Sequence, residues 1–174
     1  KSGKKILFVA TKKQAKTIIS EAAESLNMPY ITERWPGGLL TNFSTIRKSI
    51  KKMQSIDKMK EDGTFETLSK RERLQIDRQR SKLELNLGSI VKMTRMPEAI
   101  FIVDINKEHI ALEEANKLGI RSFAMTDTNT NPNKVIFPIP SNDDAAKSIN
   151  SIVSVVTKAI SEGLAERSAK MEEK

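Results

Sequence analysis

The chain has 174 residues, with 30 Lys and Arg against 22 Asp and Glu, a formal net charge of +8. It has no cysteine, which excludes disulfides, thiolate zinc sites and cysteine nucleophiles together, and a single histidine, His109, which cannot build a metal site or a nucleophile triad by itself. No run approaches the roughly 18 apolar residues of a membrane span, no signal peptide is visible, and aromatics make up only 5%, so stacking platforms for bases are scarce.

The chain starts at Lys1 without Met and enters a strand almost at once, which leads us to expect that a longer protein has lost its beginning. Residues 6–10 (ILFVA) form a continuous apolar run, as in a strand buried on both faces. Thr11 and Gln14 read as a capping box for a helix running to about Leu26, its inner face set by Ala15, Ile18, Ile19, Ala22 and Ala23. Met28 and Pro29 end it, and a short strand follows near Tyr30 to Thr32. Residues 33–43 (ERWPGGLLTNF) are irregular, broken by Pro36, Gly37 and Gly38.

A first basic helix is predicted from about Asn42 to Lys60, with Ile46, Ile50, Met53, Ile56 and Met59 as its apolar stripe. Asp62 and Gly63 make a turn. Ser69 and Glu72 form a second capping box, and the return helix carries Ile76, Leu83, Leu87 and Ile90 to about Met93. Residues 44–82 hold twelve Lys and Arg against six Asp and Glu, so most of the net charge sits here. Two helices with narrow apolar seams and charge elsewhere suit an antiparallel coiled-coil hairpin.

Strand and helix then alternate again. Residues 99–103 (AIFIV) are a buried strand, 107–118 a helix stopped by Gly119, 121–126 a strand, 127–133 a polar loop, and 134–138 a last strand limited by Pro138 and Pro140. Ser141 and Asp144 start a long helix with Ile149, Ile152, Val153, Val156 and Ile160 inside, and the tail from Gly163 is polar and reads as frayed. The fold class expected is α/β: a mostly parallel sheet flanked by helices, with an inserted helical hairpin. The division is 1–41 and 94–163 for the α/β domain, 42–93 for the hairpin and 164–174 for the tail. Thr11, Glu33, Asp104 and Asp127 all fall at the carboxyl ends of strands, where such sheets carry their sites.

A basic helical pair in an otherwise nearly neutral domain points to a polyanion, nucleic acid first. The candidate contacts on the hairpin are Arg47, Lys48, Lys51, Lys52, Arg71 and Arg73, with Arg78 and Arg80 nearby. Lys12, Lys13 and Lys16 crowd a helix start, where cations are disfavoured unless an anion shares the site. In the irregular loop, Arg34 can fork onto phosphate, Trp35 offers a flat face, Gly37 and Gly38 allow close backbone approach, and Asn42 opens the next helix. The two glycines match neither a dinucleotide fingerprint nor a P-loop; the competing reading is a tight bend. Asp127, Asp143 and Asp144 could gather to hold a divalent ion, the one cofactor the sequence leaves open, although helix capping accounts for Asp143 and Asp144 more simply.

The blocks ERWPGGLLTNF (33–43), PEAIFIVD (97–104), EEANKLGI (113–120), and DTNTNP with IPSNDDA (127–145) together resemble the bacterial family of small-subunit ribosomal protein two, in order and over essentially the whole chain. The resemblance implies a flavodoxin-like parallel sheet with a coiled-coil hairpin, and no catalysis. It implies a cytoplasmic place in the ribosome, binding small-subunit ribosomal RNA at the neck between head and body. It further implies contacts with neighbouring small-subunit proteins, including docking of the large mRNA-binding one, and neither a membrane nor a small-molecule substrate. Pro36 and Arg121 depart from the family pattern, and the family carries a further segment before the position of Lys1. Two other readings of the residues stand beside this one: a nucleotide- or metabolite-binding α/β enzyme, and a coiled-coil scaffold for a partner protein.

Overall fold

The computed structural model describes residues 4–172. The elements are β1 (Ile6–Val9), α1 (Lys13–Ser25), β2 (Tyr30–Ile31), α2 (Phe43–Glu61), α3 (Lys70–Leu87), β3 (Ala99–Val103), α4 (His109–Lys117), β4 (Arg121–Thr126), β5 (Phe137–Pro140) and α5 (Ala146–Glu172). The five strands form one sheet in the order β2-β1-β3-β4-β5, parallel throughout. This is the flavodoxin-like order, and the α/β class expected from the alternation is the one observed.

Alternation along the strands builds two cores. Leu7, Val9, Ile100, Ile102 and Ala124 point to one face of the sheet, where they meet α4, the 33–43 loop and the base of the hairpin. Phe8, Phe101, Val103 and Met125 point to the other, against α1 and α5. The connection from β2 to β3 must pass over β1, and the hairpin makes it. Ile50 of α2, together with Leu87, Ile90 and Met93, is buried in the first core, so the hairpin's base does the work of a crossover helix.

Beyond that base α2 and α3 hold each other. Met53 and Ile56 are buried in the seam, and two ion pairs cross it: Lys60 Nζ to Asp77 at 2.6 Å and Arg80 Nε to Asp57 at 2.8 Å. Gly63 makes the turn with φ +79°, a conformation cheap for glycine. The Ser69–Glu72 capping box forms as expected, each side chain bonding the other's backbone N–H.

Several local expectations are corrected. Thr11 caps nothing: its backbone N–H and its hydroxyl both donate to Glu108 Oε1, a buried carboxylate that needs donors. The return helix is α-helical only to Leu87, then tightens into a 3₁₀ turn at Gly88–Ile90. The last strand lies at 137–140 rather than 134–138 and contains both prolines. Ser141 N–H donates to Thr126 O at 3.1 Å, so residues 137, 139 and 141 face β4 while Pro138 and Pro140 face outward, where no donor is needed. Asn142, not Ser141, accepts the first free N–H groups ahead of α5, those of Asp144 and Ala145. The helix then continues in helical geometry through the polar stretch, past Gly163, to Glu172. Among those residues no helix is long and apolar enough to cross a membrane.

If the hairpin's base is a true core element, Ile90→Ala should lower the unfolding free energy by about 3 kcal/mol. Leu74→Ala, on the exposed outer side of α3, should change it by less than about 0.5 kcal/mol. Urea denaturation followed by circular dichroism measures both.

Candidate nucleic-acid interface

The 33–43 loop is organised around one carboxylate. Glu114 lies on the inner face of α4 beside Ala111, Leu112 and Ala115, only 8% exposed. Five donors from the loop converge on it. Oε1 accepts from the Trp35 indole Nε1 at 3.0 Å and the Gly38 N–H at 2.7 Å. Oε2 accepts from the Leu40 N–H at 2.9 Å and from the Thr41 N–H and hydroxyl at 3.0 and 3.1 Å. Burial alone would raise the Glu114 pKa. The Thr41 N–H, the Trp35 indole and the N–H groups of Gly38 and Leu40 outweigh it and hold the carboxyl below the ordinary glutamate value.

This arrangement sorts the loop into inward and outward residues. Trp35, Leu39 and Leu40 are buried, so Trp35 is an anchor and presents no open face to a base. Arg34, Gly37 and Asn42 are exposed on the outside. Gly38 sits at φ +84° in a turn closed by Leu39 N–H to Pro36 O at 3.0 Å, and a Cβ there would come within 3.3 Å of Asn42 Cβ. The tight-bend reading therefore describes Gly38, while the backbone at Gly37 is open to approach.

The three lysines at the start of α1 have different fates. Lys12 Nζ lies 2.7 Å from Asp143, 2.6 Å from Asp144 and 3.2 Å from Asp104. Burial would push its pKa down, but those three carboxylates outweigh it and hold the ammonium above the ordinary lysine range. Lys16 pairs with Glu33 at 2.9 Å. Lys13 is exposed and has no carboxylate partner among the described residues.

Asp127, Asp143 and Asp144 do gather, each with an oxygen within 4.8 Å of the others. Capping does not explain them. Asp143 and Asp144 neutralise Lys12, and Asp127 accepts the N–H of Thr128 at 2.6 Å and of Asp143 at 3.3 Å, which lowers its pKa. Burial, with Asp104 and Asp127 close by, raises the pKa of Asp143 despite Lys12. The Lys12 ammonium, bonded to one oxygen each of Asp143 and Asp144, already supplies one positive charge to this group.

These contacts also fill the crevice that a sheet of this order opens between β1 and β3. Thr11 bonds Glu108, Lys107 Nζ bonds Thr11 O at 3.0 Å, and Lys12 bridges to Asp104. A cavity of about 810 Å³ lies elsewhere, beside edge strand β2 and the hairpin base, lined by Tyr30, Ser89 and Lys92 among others. His109 is exposed, its Nδ1 3.1 Å from Asn106 O.

On the hairpin, Lys48, Lys51, Lys52 and Arg71 are exposed, with no carboxylate partner among the described residues. Arg47 is spent internally: its Nη1 donates to the carbonyls of Val91 and Met93 at 3.1 and 3.3 Å, tying α2 to the segment after α3. Arg73 is half-buried on the seam side, and Arg80 is paired with Asp57 and Glu84. The residue that sequence reading missed is Glu114. Its signal was available, because a carboxylate in line with Ala111, Leu112 and Ala115 on an apolar face demands partners.

Removing the Glu114 charge should loosen the loop. Glu114→Gln should cost about 2–3 kcal/mol at neutral pH, since one acceptor oxygen is replaced by a donor facing other donors. A carboxyl held below its unfolded pKa stabilises above that value and ceases to as pH falls through the folded one. The gap in thermal midpoint between wild type and variant should therefore narrow as pH drops below 4.5, the ordinary value.

Comparison with known proteins agrees with this architecture. The family model for ribosomal protein S2 matches residues 1–163. The chain is 66% identical over 171 residues to the small ribosomal subunit protein uS2 of Flavobacterium johnsoniae, covering 98% of this chain and 67% of that one. It is 67% identical over 166 residues to that of Christiangramia forsetii, covering 95% and 56%. To that of Parabacteroides distasonis it is 63% identical over 169 residues, covering 97% and 61%. The chain thus spans between 56% and 67% of the length of these relatives.

Proposed function

The chain belongs to the ribosomal protein S2 family, and from that premise we propose that it is a structural, non-catalytic constituent of the small ribosomal subunit, working in the cytoplasm as part of the ribosome. It binds small-subunit ribosomal RNA at the neck between head and body and supports docking of the large mRNA-binding protein. The role needs no cofactor. One α/β body carries the hairpin as an inserted arm, and the contacts are to phosphate and backbone rather than to bases.

The observation that carries this reading is the group of hairpin cations that are exposed and unclaimed by carboxylates among the described residues, Lys48, Lys51, Lys52 and Arg71 among them. Phosphates would complete them. Arg34, Gly37 and Asn42 extend the same reading to the loop, and Lys13 to the start of α1. Gly38 contributes through the turn, and Trp35 through the burial that fixes it. Arg47 and Arg73 support the hairpin's shape, and Lys12 and Lys16 are tied to carboxylates, so a phosphate contact at these four would be secondary. The enzyme reading has less support, because the crevice where such a sheet would take a nucleotide is occupied by its own side chains. Calorimetry with nucleotides should accordingly show no saturable binding.

Reversing Lys48, Lys51 and Lys52 to Glu in the full-length protein should cut its occupancy in small subunits sedimented at moderate salt by at least about tenfold, the effect of losing three phosphate contacts. Normal occupancy would sink the hairpin's role in RNA binding.

A further inference from the structure

Most of the hairpin's exposed cations are gathered into two rows, while exposed carboxylates such as Glu61, Glu72 and Glu84 lie outside them. On α2, Lys48, Lys51, Lys52 and Lys58 fall at i, i+3, i+4 and i+10, one side of the helix, and all four are exposed. On α3, Arg71, Arg78 and Lys82 fall at i, i+7 and i+11, again one side and again exposed. No carboxylate shares either row. Asp57 and Asp77 lie beside the apolar seam instead, where they pair with Arg80 and Lys60 across it. A merely soluble coiled coil would intersperse the two signs over its outer surface.

Each row sits opposite its own helix's seam residues, Ile50 and Met53 on α2, Ile76 and Leu83 on α3. Because the seams face each other, the rows face away from each other, on opposite outer sides of the hairpin. Two packed helices with their side chains are about 20 Å through. Each row is about 15 Å long at 1.5 Å per residue. A phosphate backbone lying along one row is therefore kept from the other by the full thickness of the hairpin.

The geometry points to a two-sided RNA contact: the hairpin lies between two separate phosphate-backbone segments of small-subunit ribosomal RNA, the α2 row gripping one and the α3 row the other. The inference rests on the RNA-binding role proposed above and adds to it that the arm joins two segments rather than lying on one.

Two measurements test it. In the first, the α2 row (Lys48, Lys51, Lys52, Lys58) and the α3 row (Arg71, Arg78, Lys82) are changed to Gln separately and together in the full-length protein. Binding to purified small-subunit ribosomal RNA is then measured against salt. Glutamine keeps helix propensity, and circular dichroism confirms folding. The slope of log affinity against log salt should become shallower by about 3 for the α2 row and about 2 for the α3 row, the two adding in the combined variant. In the second, the absence of cysteine lets Ser55→Cys, between the lysines of α2, and Gln75→Cys, between the arginines of α3, each carry one photo-cross-linker into assembled small subunits. The two positions should cross-link to different RNA segments. A steep wild-type slope with one row silent, or both positions cross-linking to one segment, overturns the two-sided contact and leaves RNA binding standing. A wild-type protein whose RNA affinity ignores salt overturns both.

Discussion

A connection that must cross the face of a parallel sheet governs this molecule. Strands β2 and β3 flank β1, so the chain between them has to pass over β1 and give it an apolar cover. An ordinary helix would suffice. Here the cover is the base of a long hairpin, with Ile50, Leu87, Ile90 and Met93 buried on Leu7, Val9, Ile100 and Ile102. The arm is thus fixed to the body by a hydrophobic core, and its direction follows from the sheet rather than from a flexible linker.

Electrostatics then divides the surface into regions of different kinds. At the carboxyl ends of the strands Lys12 is enclosed by Asp104, Asp143 and Asp144 and so is held within the protein. On the loop, Glu114 gathers five donors, and outward residues such as Arg34 are left free of it. On the hairpin the seam pairs use up Lys60 and Arg80, Arg47 is bonded to backbone carbonyls, and Lys48, Lys51, Lys52 and Arg71 face water. Where carboxylates are buried they organise the protein itself. Where cations stand alone, a polyanion would complete them.

How much of this was legible depended on the range of the interactions. Strands β1 and β3 announced themselves as continuous apolar runs, and the hairpin by its seam residues, the Asp62–Gly63 turn and the Ser69–Glu72 capping box, all local signals. Strand β5 was misplaced because Pro138 and Pro140 read as breakers, whereas on an outer parallel strand their missing N–H groups face away from the ladder. The 3₁₀ turn after Leu87 and the persistence of α5 past Gly163 are set by tertiary packing and helix continuity that periodicity does not report. The fates of Lys12 and Trp35 hang on partners 131 and 79 residues away, Asp143 and Glu114. No spacing rule reaches that far, so two residues that look like ligand contacts in the sequence are internal braces in the fold.

The sheet's two margins carry one more implication. Strand β2 is only two residues long, and β5 turns Pro138 and Pro140 outward. Neither margin offers a neighbouring polypeptide the unbroken row of donors and acceptors on which an added strand would grow. Over the described residues the sheet is thereby guarded against self-association through strand addition, even though five parallel strands form its centre.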